Sequence, residues 1–308
     1  MKKQCAVLRE NSYHTSERFA FEAGKISHER RFCTIGGGMG EAFVKTAGYG
    51  DNLPGEAAAL RWLAEAEPAG GIRVVHVVSV TEDELVEERV ATGTPSAAAA
   101  RRIGAGLARL HAAGAPWYGC APDGWVGAPW CGRARTPYVS REQSTASWGA
   151  FFAEHRVMNY VRTLVDRGDF GPSELATFER VASRLAAGEF DAAQPELVRE
   201  ADVPCARLHG DLWAGNVLWD GDPGAATGGA LIDPMAYGGH AETDLAMLAL
   251  FGYPYLDEVL RGYDEASPLA DGWRDRVALH QLAPLLLHCV LFGGWYLAEA
   301  VAAARRYA

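Results

Sequence analysis

Asp211, Asn216 and Asp233 stand in an order and spacing that suit phosphoryl transfer. Asp211 lies in Leu208-His209-Gly210-Asp211-Leu212-Trp213-Ala214-Gly215-Asn216-Val217-Leu218-Trp219, and Asn216 follows it by five positions. Asp233 closes a short apolar run, Leu231-Ile232-Asp233-Pro234, 17 residues beyond Asn216. The chemistry asks for one carboxylate at the acceptor hydroxyl. It also asks for an amide and a second carboxylate to hold Mg²⁺ on the nucleotide phosphates. A lone His-Gly-Asp reads as a polar loop before a strand. With Asn216 and Asp233 both in register, that plainer explanation loses its force.

His209-Gly210-Asp211 matches the place of His-Arg-Asp in the kinase catalytic loop, and Asp233 that of the metal-binding aspartate after it. The two tryptophans narrow the match. His-Gly-Asp-Leu-Trp-x-Gly-Asn-x-x-Trp over residues 209–219, then Ile232-Asp233-Pro234, resembles the fructosamine/ketosamine kinase family. That family belongs to the kinase-like phosphotransferases that include aminoglycoside and choline kinases. The similarity continues through Tyr237-Gly238-Gly239-His240, Glu242-Thr243-Asp244-Leu245-Ala246-Met247 and Phe251-Gly252, and more weakly at Leu287-His288 and Leu291-Phe292-Gly293-Gly294. It covers most of the chain but is motif-dense only in the second half. The family's Gly-Trp motif near Gly124-Trp125 and the Gln-Asn pair beyond it are only partly recognisable.

The elements that position these groups are legible in outline. Glu41-Ala42-Phe43-Val44-Lys45 is an apolar strand ending in lysine. Glu56 sits in the first turn of an Ala/Leu-rich helix that tolerates Pro54 there. A strand lysine and a glutamate on the next helix suit the kinase ion pair that holds the amine against the α- and β-phosphates. Alone they would read as a surface lysine and a glutamate favoured by the helix dipole. Gly36-Gly37-Gly38-Met39-Gly40 invites reading as a phosphate cradle, yet it directly precedes that strand, where a tight hairpin turn is plainer. The resemblance places the nucleotide loop one strand earlier, at Gly24-Lys25-Ile26-Ser27, so Gly24 and Ser27 are the candidates, although the segment is glycine-poor. Residues 72–80 and 84–90 are β-branched runs around a Thr81-Glu82-Asp83 turn that would complete a small sheet. Residues 91–95 read as a linker. In this fold class adenine pairs with backbone at such a junction, which makes Glu88, Arg89 and Val90 candidates by position.

Ser96 caps a helix with Ile103, Leu107 and Leu110 on its apolar face and Gly114 at its end. His111 on it reads as a packed core residue. Residues 114–146 carry Trp117, Trp125 and Trp130 without a period, a long loop whose aromatics either anchor it or stack on a substrate. Residues 148–166 and 173–187 are amphipathic helices. The first carries the family's Trp-x-x-Phe-Phe-x-x-x-Arg pattern at Trp148, Phe151-Phe152 and Arg156. Residues 242–251, 255–265 and 273–306 are helical, and Asp244 is placed to brace the catalytic loop by hydrogen bonds.

A 308-residue chain with 49% hydrophobic and 22% charged residues has ordinary globular composition. Its net charge of −10 argues against a nucleic-acid or anionic-membrane partner. Six scattered cysteines without a Cys-x-x-Cys pair read as reduced thiols in a cytoplasmic protein. Lys2 and Lys3 have no apolar run behind them, so the start does not read as a signal peptide. The apolar stretch 282–298 holds Pro284, His288 and Gly293-Gly294 and is shorter than the ~20 residues a membrane span needs.

The resemblance implies an α+β, two-lobed protein-kinase-like fold. Residues 1–90 would be a small, mainly antiparallel β lobe with one main helix, 91–95 the hinge, and 96–308 a larger, mostly helical lobe. It implies ATP and Mg²⁺ in the cleft. Asp211 would orient the acceptor hydroxyl with a carboxylate pKa near 4. Asn216 and Asp233 would hold the metal, and Lys45, tethered by Glu56, would clamp the phosphates. The implied acceptor is the 3-hydroxyl of a fructosamine or ribulosamine, free or protein-bound, in a deglycation role. Trp213 and Trp219 offer flat faces for a sugar or else support the loop, and His288 could border the acceptor pocket. Two alternatives remain: an aminoglycoside- or choline-type kinase, and a non-catalytic nucleotide-binding protein. Oligomeric state is not legible.

Overall fold

Strand and helix limits follow the punctuation of the chain. The computed structural model describes residues 28–308 except 36–37, 49–51, 126, 128–129, 132–133 and 223. β1 (His28–Ile35) and β2 (Gly38–Thr46) pair antiparallel with Ile35 opposite Gly38, the register of a tight hairpin across the glycine run. α1 (Leu53–Ala64) begins where the Asn52 side chain accepts from the Gly55 N–H at 3.1 Å, with Pro54 in the first turn. Its Leu53, Ala57, Leu60 and Leu63 are buried. β3 (Arg73–Val74), β4 (Val77–Val80) and β5 (Glu84–Glu88) follow.

The first sheet has the order β1-β2-β5-β4. Period-two alternation gives it two unlike faces. Ala42, Val44 and Val86 form a small apolar cluster on one. Lys45, Leu85 and Glu87, all buried, share the other.

The rest of the chain is mostly helical. α2 (Ala97–Ala112) is capped by the Ser96 hydroxyl, which accepts from Ala99 N–H at 3.2 Å. The long loop that follows holds the short pair β6 (Trp130–Cys131) and β7 (Ala134–Arg135) and a 3-10 turn at Arg141–Gln143. Next come α3 (Trp148–Phe152), a π-helical turn (Ala153–Met158), α4 (Asn159–Asp166), α5 (Pro172–Ala186) and α6 (Glu196–Glu200). Short strands β8 (Ala206–Leu208), β9 (Val217–Trp219), β10 (Gly229–Leu231) and β11 (Tyr237–Gly239) carry the loops of Asp211 and Asp233 between them. The chain closes with α7 (Glu242–Leu250), α8 (Leu256–Ala266), α9 (Trp273–His280), α10 (Leu282–Phe292) and α11 (Trp295–Ala304).

Three elements differ from the sequence expectation. Residues 72–80 are not one strand of the small sheet. β3 pairs parallel with β10 in a second sheet of order β3-β10-β9, and only β4 joins the first. The chain changes sheets at Val75, whose N–H donates to Leu231 O at 3.0 Å, and at His76, whose carbonyl accepts from Glu88 N–H at 2.9 Å. Residues 148–166 contain the π turn, which a 3.6-residue period does not reveal. Residues 273–306 form three helices: the first break falls at Gln281, and the second at Gly293 and Gly294, which take φ of 62° and 63°, outside helical space.

One apolar core runs from Leu60 and Leu63 on α1 through Ile103, Leu107 and Leu110 on α2 to the last helices. The segment between β5 and α2 is pinned to β9. Gly93 N–H donates to Trp219 O at 2.8 Å, and Thr92 bridges Asp220. Among the described residues no helix is long and apolar enough to cross a membrane.

Candidate active site

The turn after β8 carries Asp211, and its shape is over-determined. Gly210 has φ of 81°, and a Cβ there would lie 2.1 Å from Met235 O, so glycine is required between the histidine and the aspartate. Asp244, on the first turn of α7 and buried, accepts from His209 N–H at 2.7 Å and Gly210 N–H at 3.0 Å. His111 places its Nε2 3.3 Å from the same carboxylate, and its Nδ1 lies 2.8 Å from the Tyr263 hydroxyl. His111 is thus a buried core residue that holds the brace.

His209 is the second brace. Its Nδ1 accepts from Asp211 N–H at 3.2 Å, which leaves Nε2 as the protonated nitrogen, donating to Ile232 O at 2.9 Å. Burial holds this imidazole below the usual histidine range, consistent with a neutral ring. One side chain therefore ties the Asp211 turn to the residue before Asp233.

Asn216 completes the group. Its Nδ2 donates to Asp211 O at 2.9 Å, to the Asp211 carboxylate at 2.9 Å and to Asp233 O at 3.4 Å. The amide oxygen is left as its ligating end. Asp233 itself takes φ of 53°, a left-handed conformation that aspartate tolerates better than most residues, and its side chain is 39% exposed. Amide and carboxylate oxygens without sulfur or imidazole are a hard donor set. They fit Mg²⁺, which keeps water ligands and takes phosphate oxygens.

Lys45 reaches across from β2. Its ammonium bonds both Glu56 and Asp233, and Glu87 lies 3.7 Å away. Burial pulls this amine down, but the charges of Glu56, Asp233 and Glu87 outweigh it and hold it above the usual lysine range. Burial pushes Glu87 up to about 8 against the opposing charge of Lys45, with Glu56 and Asp233 adding to the rise. Burial and then the charge of Asp233 push Asp211 up to about 7, the Asn216 hydrogen bond working against them. The ordinary carboxylate pKa near 4 expected from the sequence is therefore corrected. A cation bound at Asp233 would reverse the second of those causes.

The structure brings Lys45, Glu56, Asp211, Asn216 and Asp233 together, with Trp213 beside them. Trp213 is half-buried and folds its six-membered ring over Gly215, beside the turn. Trp219 instead stacks on Tyr253 at 5.1 Å, while its carbonyl receives Gly93 N–H. Those partners are Tyr253 and the β5–α2 connection, whereas Trp213 N–H donates to Asp211 O at 3.1 Å, which makes Trp213 the better-placed candidate of the two. His288 donates from Nδ1 to Pro284 O at 2.7 Å and packs on Phe251, Phe292 and Tyr296. None of these contacts involves the Asp211 turn, and the expected pocket-bordering role has no support in them. The Glu88 carboxylate is engaged by Arg73 at 3.0 Å and by His76 N–H at 3.2 Å. Its backbone carbonyl is what it can offer a base. Val90 is buried just beyond β5. Gly24 and Ser27 lie outside the described residues.

Two site residues escape sequence reasoning. Glu87 is an acid on the buried face of β5, and strand parity with Leu85 could have flagged it. Arg207, on β8, stacks its guanidinium 4.3 Å over Trp62 of α1 and bonds Trp62 O. It also donates to Glu65 at 2.9 Å and Gly114 O at 3.1 Å. It fastens the helix bearing Glu56 to the strand that delivers Asp211. An arginine inside the apolar run Ala206-Arg207-Leu208 was the available signal.

His240, Glu242 and His280 also gather carboxylate and imidazole groups, all buried. Arg276 already forks onto both Glu242 oxygens at 2.9 and 2.6 Å. His240 Nδ1 accepts Glu242 N–H at 3.2 Å. A guanidinium stands where a cation would sit, so this cluster joins α7 to α9.

Comparison with known proteins follows the same lines. The family model described as fructosamine kinase matches residues 1–307. A probable ketoamine kinase of Synechocystis sp. is 32% identical over 231 residues, 74% of this chain and 68% of that protein. Other curated ketoamine kinases, from Enterococcus faecium and Vibrio parahaemolyticus, are matched over 62% and 46% of their length. The crystal structure of a putative fructosamine-3-kinase from Thermobifida fusca superposes with TM-score 0.73 at 35% identity, covering 96% of this chain and 97% of that one. The choline kinase LicA from Streptococcus pneumoniae shares the fold alone, with TM-score 0.53 at 13% identity over 95% and 98% of the two chains.

Proposed function

The chain belongs to the fructosamine kinase family and is an ATP-dependent phosphotransferase with a protein-kinase-like fold, and from that premise we propose that it phosphorylates the 3-hydroxyl of a ketosamine. The substrate class would be the fructosamine or ribulosamine adducts that sugars form with amines. The observation that carries the reading is the braced turn: Asp211, Asn216 and Asp233 held by Asp244 and His209, with Lys45 spanning to Asp233 from the small sheet.

The acceptor hydroxyl meets Asp211, which orients it and takes its proton as the oxygen bonds to the γ-phosphorus. The bond to the β–γ bridging oxygen breaks, and ADP leaves with that electron pair. Such transfer is largely dissociative, so position and charge neutralisation matter more than base strength. Asn216 and Asp233 would hold Mg²⁺, which when bound neutralises charge on the β- and γ-phosphates. Lys45 turns from Asp233 to the phosphates while Glu56 keeps hold of it. Residues 91–95 are the hinge in this reading, between a nucleotide lobe, 1–90, and an acceptor lobe, 96–308.

Trp213 presents an aromatic face to the C–H face of the sugar ring. An aminoglycoside, a polycation, would want several carboxylates there instead. The phosphorylated adduct would then release its amine, a deglycation role suited to a cytoplasmic protein. Coupled ADP release with Mg-ATP tests the reading, using a synthetic fructosamine, a ribulosamine, kanamycin and choline, with Asp211→Asn as blank. Turnover on a ketoamine, lost in the variant, is the expected result. Turnover on kanamycin or choline alone would overturn the acceptor assignment.

A further inference from the structure

Glu87 has no part in the transfer just described, yet it sits beside Lys45, the residue assigned above to the nucleotide phosphates. It is 2% exposed. One carboxylate oxygen, Oε2, lies 3.7 Å from the Lys45 ammonium, and the other, Oε1, is buried with no hydrogen-bond partner. A buried acceptor without a donor is costly, and native proteins keep few of them.

The register of the sheet says which donor could arrive. Directly opposed residues of an antiparallel pair share a face. Phe43 opposes Glu87 and Lys45 opposes Leu85, so Glu87 faces the same side as Lys45. A nucleotide with its phosphates at Lys45 and its base at the backbone of residues 88–90 must pass across Glu87. A base that turns its six-position edge to the end of β5 brings that group to Glu87. Adenine presents an exocyclic amine there, a donor, and hypoxanthine or guanine presents a carbonyl, an acceptor.

We propose that Glu87 is a nucleotide-specificity residue, its unpaired Oε1 accepting from the six-amino group of adenine and disfavouring purines that carry oxygen at that position. The assignment rests on the nucleotide-site reading above and is independent of the acceptor. Lys45 and the phosphate clamp are common to every purine triphosphate. A change in the ratio between two bases therefore reports on Glu87 rather than on disturbed phosphate binding.

The test is calorimetric binding of Mg-ATP, Mg-ITP and purine riboside triphosphate, which lacks the six-amino group, without any acceptor. Measurements at pH 8.5 favour the ionised carboxyl. Wild type should prefer ATP over purine riboside triphosphate, and Glu87→Gln, which keeps an acceptor oxygen but no charge, should retain part of that preference. Glu87→Leu should lose about tenfold of that preference, the scale of one hydrogen bond to a charged group. Glu87→Gln should gain at least about fivefold on ITP relative to ATP, because its amide can turn a donor to the carbonyl. This second arm reads out even if the leucine variant does not fold. An ATP to purine riboside triphosphate ratio for Glu87→Leu and an ATP to ITP ratio for Glu87→Gln that both stay within about twofold of wild type, with ATP still bound, would overturn the role of Glu87 alone. Failure of wild type to bind any of the three would overturn the nucleotide-site reading and Glu87 with it.

Discussion

Removing the Asp244 carboxylate should cost both stability and turnover, and the size follows from its partners. Asp244→Ala leaves two buried backbone donors, His209 N–H and Gly210 N–H, without the acceptor they hold at 2.7 and 3.0 Å. It also frees the His111 ring, 3.3 Å from the same group. A buried donor left unpaired costs ~1–3 kcal/mol. Two such donors, partly relieved by water entering the space, give a loss of about 2–5 kcal/mol. At roughly 2–4 °C per kcal/mol for a chain above 150 residues, Tm should fall by about 4–20 °C. Asp244→Asn keeps the shape but turns an amide N–H2 towards one donor, so about half that loss is expected. Differential scanning fluorimetry gives the first readout. Steady-state kinetics well below the transition gives the second. There kcat should fall at least about 30-fold with the KM for ATP within about threefold, because the Lys45–Glu56 pair is untouched. A Tm within about 2 °C of wild type and a kcat within about threefold would refute the idea that Asp244 shapes the catalytic turn.

The remaining predictions concern protons and aromatics. Asp211 must be ionised to take the acceptor proton, and its pKa stands at about 7 without metal. The profile of kcat/KM should therefore rise with pH to a plateau, with an apparent pKa at or below about 7 that falls as Mg²⁺ is raised. Activity that grows as pH falls would contradict this. For stability the sign is opposite. A carboxyl raised in the folded state binds its proton more tightly there, so stability drops as pH climbs from about 4 to about 7. Asp211→Asn should accordingly melt above wild type at pH 8, by a margin that shrinks towards pH 4. Trp213→Leu should raise the KM for a ketoamine about tenfold and leave that for ATP unchanged, whereas Trp219→Phe should alter neither. Equal effects of the two on the acceptor KM would sink the distinction drawn between them.

How far the site could be read from the sequence depended on whether chain neighbours or distant contacts made it. Asp211, Asn216 and Asp233 were legible because one loop and one strand end fix their spacing. Ser96 announces its helix through local capping, and Gly36 to Gly40 their hairpin through position. Trp219 could not be told from Trp213, because the Tyr253 stack that claims it lies over 30 residues away. The raised pKa of Asp211 was equally invisible, since burial and the charge of Asp233 exist only after folding. The change of sheets at Val75 depends on the Leu231 carbonyl, a contact no local β-propensity encodes. Arg207 and Glu87 are charged groups in apolar strands, a pattern that marks a buried tether without naming its partner.

The central claim is transfer to a ketosamine 3-hydroxyl through the Asp211 turn. Phosphorus-31 and proton NMR of the product from Mg-ATP and a synthetic fructosamine test it most directly. The account predicts phosphate on the sugar's O3 with one ADP formed per product, and no product with Asp211→Asn. Phosphate on a different oxygen, or the same product at near wild-type rate from the variant, would contradict it.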